Sequence, residues 1–303
     1  MAYNELECVG DIGLTGLQEC AESFGYWERF IVVPKGQNFS TKEDALLLEN
    51  WIEKLNNTNS ERWLPTPDTA MLEGNQEDTI YEDLIGGNRE FIRDGKDSVN
   101  IKFKAISMFD HKQLRKLNGR SDLGVFILTS IGYILGYSVD GVVFEPINID
   151  ELRFEKRTIS DGDTKDRSSM SLVFSDSNEW NNYGVWIKPS SQESNSWIPE
   201  DELVGVKAVS ISTSNESATE LTASVVGASD KVAVIGLVVG DFSLKDSSGA
   251  TVTITGVTEV GDGSYTLAFG TLTAGDYTLE LAQQPTMTTK FFESINTAAF
   301  TIV

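Results

Sequence analysis

Residues 99–105, Val-Asn-Ile-Lys-Phe-Lys-Ala, constrain the fold more than any other stretch. Val99, Ile101, Phe103 and Ala105 fall on alternate positions, with Asn100, Lys102 and Lys104 between them. Successive side chains of a strand point to opposite faces, so this pattern describes an antiparallel strand with one buried and one wet face. Upstream, "REFIRDGKDS" places Asp94-Gly95 between Phe91 and Val99, a hairpin turn signal. The charges of residues 81–107 then read as the outward set of a hairpin.

The remaining text is mostly strand-like. "FIVVP" (30–34) is a short buried run, and residues 122–160 hold three or four strands broken at Ser130-Ile131-Gly132 and Asp140-Gly141. Further strands fall near 168–175 and 184–188. The clearest helix lies in "FSTKEDALLLENWIEKLNN", with Ser40 and Glu43 as a capping box. Ala45, Leu48, Ile52 and Leu55 form its apolar stripe, widened by Leu47 and Trp51. A weaker helix covers "LTGLQECAESF", and a third spans Asp110 to Asn118 before Gly119.

Composition changes near residue 205. All six tryptophans (27, 51, 63, 180, 186 and 197) precede it, and the text beyond is rich in Val, Thr, Ser and Gly. This divides the chain into a β-rich domain, 1–205, and a second domain, 206–303. In the second, Asp-Ser-Ser-Gly, Gly-Asp-Gly and Ala-Gly-Asp turns separate short strands at the spacing of an immunoglobulin-like β-sandwich. Tyr265, Leu267 and Phe269 alternate inward there, as do Tyr277, Leu279 and Leu281. The expected class is mainly β: an α+β first domain, sandwich or barrel-like with a flanking helix, followed by that sandwich.

Chemistry finds little support. His111, the one histidine, sits in "DHKQLRKLN" among charges and reads as a surface or capping residue. No nucleophile elbow accompanies it. Cys8 and Cys20 are too few for a disulfide framework and read as free thiols. One histidine and two distant cysteines do not make a zinc site. "VGDIGLTGLQ" misses both phosphate-binding glycine patterns. "SDGDTKDRSS" lacks calcium-loop spacing, and pairs such as Glu82-Asp83 or Asp161/Asp163 are expected by chance among 46 acids. The reading is of a non-enzyme without cofactor or metal. Residues 1–16 lack the basic start and apolar run of a signal peptide, and no stretch is apolar enough to span a membrane.

The balance of 24 Lys+Arg against 46 Asp+Glu gives a net charge of −22, which repels a nucleic-acid backbone. Residues 206–303 hold 4 Lys+Arg and 10 Asp+Glu, leaving −16 on the first domain. Trp180, Trp186 and Trp197 lie in a stretch broken by Asn, Ser and Pro. They either cap the first domain's core or anchor a subunit contact, since tryptophan carries interface energy out of proportion to its number.

The runs "EDTIYEDLIGGNREFIRDGKDSVNIKFKAI" and "LRKLNGRSDLGVFILTSIGYILGY", within residues 70–190, resemble virion structural proteins of tailed bacteriophages, particularly tail tube proteins of phages infecting the Bacteroidetes. The resemblance implies a helix-flanked β-sandwich closed into rings by sheets that join between neighbours, often with an outer immunoglobulin-like domain. It also implies self-association into rings or tubes, contact with other virion proteins, and DNA passing an acidic lumen without tight binding. The location would be the virion, assembled in the host cytoplasm. The N-terminal 65 residues hold more helix and tryptophan than that family suggests, which keeps a connector, tail-completion or decoration role open. A surface adhesin binding carbohydrate or host protein through the second domain is a further alternative. For self-assembly, the 90–107 hairpin and the 123–145 pair are the expected sheet edges. Arg89, Arg93, Asp94, Lys102 and Lys104 would set register across the joint.

Overall fold

The computed structural model describes residues 25–57, 60–83, 85, 89–93, 95–104, 106, 111–112, 114–157, 168–176, 178–191, 196–282 and 292–303. The chain is mainly β and divides into two compact units, Met1–Leu55 with Glu61–Val204, and Asn56–Ser60 with Gly205–Val303.

The first unit begins with β1 (Trp27–Pro34), followed by helices α1 (Lys42–Ala45) and α2 (Leu48–Leu55). Next come β2 (Leu64–Pro65), β3 (Thr69–Gln76), β4 (Ile80–Asp83), β5 (Arg89–Arg93) and β6 (Asp97–Phe103). Strands β7 (Leu123–Thr129), β8 (Ile134–Tyr137), β9 (Ile147–Phe154) and β10 (Ser169–Phe174) follow. Helix α3 (Asn178–Tyr183), β11 (Gly184–Ile187) and α4 (Pro199–Glu202) complete it. The sheet runs β11-β8-β7-β9-β10-β6-β3, with β1 on β7 and β2 on β1.

This sheet closes on itself. Residues 64–66 are bonded to β1, where the Thr66 N–H donates to the Phe30 carbonyl at 2.7 Å. Two residues later the same backbone has crossed to β6, where the Lys104 N–H donates to the Asp68 carbonyl at 2.8 Å. One continuous segment therefore seams the two sides of a barrel. Its interior is filled by alternate residues of each strand, among them Phe30, Val32, Val99, Ile101, Phe103, Val125, Ile147, Leu152, Met170 and Phe174.

β7 is buried on both faces, which explains its unbroken apolar text. Val125 and Ile127 enter the barrel, while Phe126 packs outward among Phe39, Trp51, Trp63 and Phe144. These aromatic edges and faces seat the helical segment on the barrel. Gly136 of β8 is required by close approach, because a Cβ there would meet the Phe144 ring at 2.8 Å and the Glu145 carbonyl at 2.6 Å.

The helical segment departs from the expected single helix. Its cap is Thr41 with Asp44, one residue beyond Ser40 and Glu43; the Thr41 hydroxyl accepts from the Asp44 N–H and the Asp44 carboxylate from the Thr41 N–H, both at 3.1 Å. The helix breaks at Leu46, which shifts the phase of the stripe. Ala45, Trp51 and Leu55 are buried, Leu48 and Ile52 half-buried, and Leu47 is exposed. Further on, a 3-10 turn (Arg115–Leu117) precedes Gly119, whose φ is +80°. "LTGLQECAESF" up to Phe24, Cys8 and Cys20 lie outside the described residues, as do Asp161 and Asp163.

The hairpin is also corrected. β5 does not turn at Asp94-Gly95 to pair with β6. It pairs with β4 as a separate ribbon, while β6 pairs with β3 from Gln76↔Asp97 to Thr69↔Phe103. Gly95 instead lies against the backbone of Glu77 at the ribbon's base, leaving no room for a side chain. The β4–β5 ribbon is thus an arm carried on the β3–β6 pair.

The second unit contains β12 (Lys207–Ser214), β13 (Glu220–Gly227), β14 (Phe242–Asp246), β15 (Thr251–Val252) and β16 (Ile254–Gly261). It continues with β17 (Ser264–Phe269), β18 (Gly275–Leu281), β19 (Phe292–Ser294) and β20 (Ala298–Ile302). One sheet runs β16-β17-β13-β12-β19 and the other β15-β14-β18-β20. Tyr265, Leu267 and Phe269 from the first meet Tyr277, Leu279 and Leu281 from the second in one core.

Candidate assembly surface

Two features of the first unit stand out against the filled barrel. The first is β3, an eight-residue strand with only Thr69 buried and residues 71–76 exposed. Among the described residues it ends the sheet path, as β11 does at the other end. Of the expected edges, β6 lies between β3 and β10, β7 between β1 and the pair β8 and β9, and β8 between β7 and β11, while β5 stands in the separate ribbon with β4. An exposed terminal strand leaves a row of backbone donors and acceptors along its outer side.

The second feature is the arm. Tyr81 and Phe91 sit opposite each other, edge to face at 6.1 Å, yet are 51% and 55% exposed. Ile92 on the other face is equally exposed. Glu82 faces Glu90, a like-charge pair that weakens an isolated ribbon. At the base, Glu77 accepts from the Lys96 N–H at 3.1 Å and lies 3.4 Å from the Arg93 guanidinium. The backbone donor, then Arg93 and Lys96, hold its carboxyl below the usual carboxylate range against the opposing pull of desolvation.

The candidate contact residues take separate places. Arg89 lies opposite Asp83 toward the far end of the arm, and Arg93 lies at its base. Asp94 is outside the described residues. Lys102 reaches Glu73 of the neighbouring strand at 3.8 Å. Lys104 bonds Glu28 at 2.8 Å and approaches Asp68 at 3.7 Å, and its pKa is raised by these carboxylates, Glu28 first. The two lysines therefore clamp strands within one copy.

The tryptophans pack into their own unit. Trp180 meets Trp27 at 5.7 Å and Phe174 at 5.9 Å, and Trp186 lies half-buried against the barrel core. Trp197 is 6% exposed and its indole N–H donates to the Leu46 carbonyl at 2.8 Å. His111 corrects the surface reading: it is 4% exposed, with Nδ1 at 2.8 Å from the Ser168 hydroxyl.

Asp97 escaped the sequence reading. It shares the inward phase of Val99 and Ile101, is 7% exposed, and its Oδ2 has no hydrogen-bond partner. Burial raises its pKa, and the facing Trp180 indole N–H opposes this weakly without completing a normal hydrogen bond. Its signal was available, since an acid occupies the position that continues the apolar alternation.

Among the described residues no helix is long and apolar enough to cross a membrane, and no group of three or more His, Cys, Asp or Glu gathers as metal ligands. No protein-family model and no curated protein matches the chain.

Proposed function

We propose that this protein is a self-assembling structural subunit of a tailed-phage virion, a tail tube protein in its most specific form. The observation that carries the reading is the exposed terminal strand β3 running into an arm with an uncovered aromatic pair. In a lone chain both are liabilities; in an assembly both are joints. Because β3 and β11 are different ends of one path, a head-to-tail contact between copies is heterologous and closes into a ring when the rotation permits. The net −22 would let DNA slide past without adhering.

We infer an immunoglobulin-like sandwich for the second unit. Its sheet orders fit that topology, and the Tyr277 hydroxyl, near the start of β18, donates to the Thr273 carbonyl at 2.9 Å as a tyrosine corner does. Exposed Val232, Ile235, Val238, Val239 and Val260 favour a second reading, an adhesin that binds host protein through this unit.

Negative-stain microscopy and sedimentation of the purified full chain test the first reading. Rings or tubes are expected; a monomer persisting at high concentration overturns it.

A further inference from the structure

The arm stands on a short root where β3 gives out. Just past that strand, Glu77 accepts from the Lys96 N–H at 3.1 Å and from the Arg93 guanidinium at 3.4 Å. Its own N–H donates to the Lys96 carbonyl at 3.3 Å. The Lys96 side chain reaches across to Asp150 of β9. One residue further in, Asp97 forms the last rung of the β3–β6 ladder with Gln76, buried and with an Oδ2 that nothing answers. We propose that this root is a proton-gated hinge: it stays closed while Asp97 is protonated, and ionisation of Asp97 opens it and frees the arm to swing. The inference does not rest on the virion reading.

A charge at Asp97 has two routes to water. Opening the barrel would expose Val99, Ile101 and Phe103, all buried on the same strand. Fraying the end rung breaks only contacts among groups already wet, since the side chains of Glu77, Arg93, Lys96 and Asp150 are each more than two-fifths exposed. Ion pairs of that kind contribute little each, and strand ends open before cores do. The cheaper route is the one that releases the arm.

The groups around Asp97 leave its charge uncompensated. Lys96 is turned to Asp150, and Arg93 to Glu77. From α3, Glu179 is bonded to the Asn148 backbone and side-chain N–H groups at 2.7 and 2.8 Å. Trp180 of that helix offers its indole N–H without closing the bond, and Phe174 of β10 packs on the indole at 5.9 Å. Burial therefore lifts the Asp97 carboxyl above its ordinary value. The Lys96 N–H holds Glu77 below its own, and the Lys96 side chain does the same for Asp150.

These titrations have opposite signs. As pH rises from the ordinary carboxylate value to the raised value of Asp97, the closed root loses stability. As pH falls through the lowered values of Glu77 and Asp150, the clasp loses its charges. The arm is held most firmly in mild acid and loosens toward neutrality.

Hydrogen exchange of the full chain from pH 4.5 to 7.5, corrected for intrinsic rates, tests the hinge. It is read by mass spectrometry with residue-level fragmentation at the amides of Glu77 and Lys96, whose intrinsic rates a substitution at position 97 leaves unchanged. At pH 7 both should exchange faster than the amides of Ile101 and Phe103. Both should slow about fivefold in Asp97→Asn, the factor implied by the low end of the cost of an unsatisfied buried acceptor. Protection in the parent should fall as pH rises, and Asp97→Asn should abolish that fall. Repeating the series in Phe91→Glu removes protection lent by a neighbouring copy. Parent protection that is flat with pH, or a fall that persists in Asp97→Asn, overturns the proposal. Exchange at Glu77 and Lys96 no faster than at Ile101 and Phe103 also overturns it, because the root then opens only when the whole unit unfolds.

Discussion

Replacing Asp97 by Asn removes the charge from a position that burial makes unfavourable for it. The unmatched Oδ2 and the facing indole of Trp180 show a carboxylate without full compensation inside the barrel wall. An unsatisfied buried acceptor costs about 1–3 kcal/mol. The new amide brings a donor that also needs a partner, so the gain at pH 7 should sit near the low end, about 1 kcal/mol. For a unit of this size that corresponds to a rise of about 2–4 °C in melting temperature. The sign with pH follows from the raised folded-state pKa. Between the unfolded value near 4 and the higher folded value, the folded state holds the extra proton, so the parent loses stability as pH rises through that window. Below the window Asp97 is protonated in both states and the handicap disappears. Thermal melts of parent and Asp97→Asn from pH 3.5 to 8 should therefore converge in acid and diverge toward neutrality, the variant higher. A difference independent of pH, or a variant less stable at pH 7, would refute the argument that charge burial governs this site.

Phe91→Glu should leave the unfolding free energy within about 0.5 kcal/mol of the parent, because the ring is exposed, while sedimentation shows assembly lost. Tyr277→Phe should cost about 1 kcal/mol in urea unfolding through loss of the bond to Thr273. Thr41→Ala should cost about 1 kcal/mol by the same measurement, whereas Ser40→Ala should be near neutral, since the cap is built on Thr41.

Local periodicity was readable where one face is wet. The alternation from Val99 to Phe103 appears in β6 as drawn, and so does that of Tyr265 to Phe269 in β17. What escaped depends on distant pairing. Asp94-Gly95 has turn chemistry, but Gln76↔Asp97 pairing makes it the base of an arm, and nothing near residue 95 announces residue 76. Ser40/Glu43 and Thr41/Asp44 both place a hydroxyl three residues before an acid, and the structure builds the cap on Thr41 and Asp44. The partners of Lys102 and Lys104 within the chain, Glu73, Glu28 and Asp68, could not be read locally because they lie far off in sequence. The closing segment was least legible of all, because its two short pairings are to different strands, both distant in sequence.

That segment has a mechanical consequence. The backbone that stitches β1 to β6 at residues 64–68 runs straight on into β3 and the arm. A tug on the arm is therefore passed along β3 toward the stitching. Force along β3 must shear its ladder against β6 before it reaches the closure at Thr66, so the arm can bear tension only as well as that short run of bonds resists sliding.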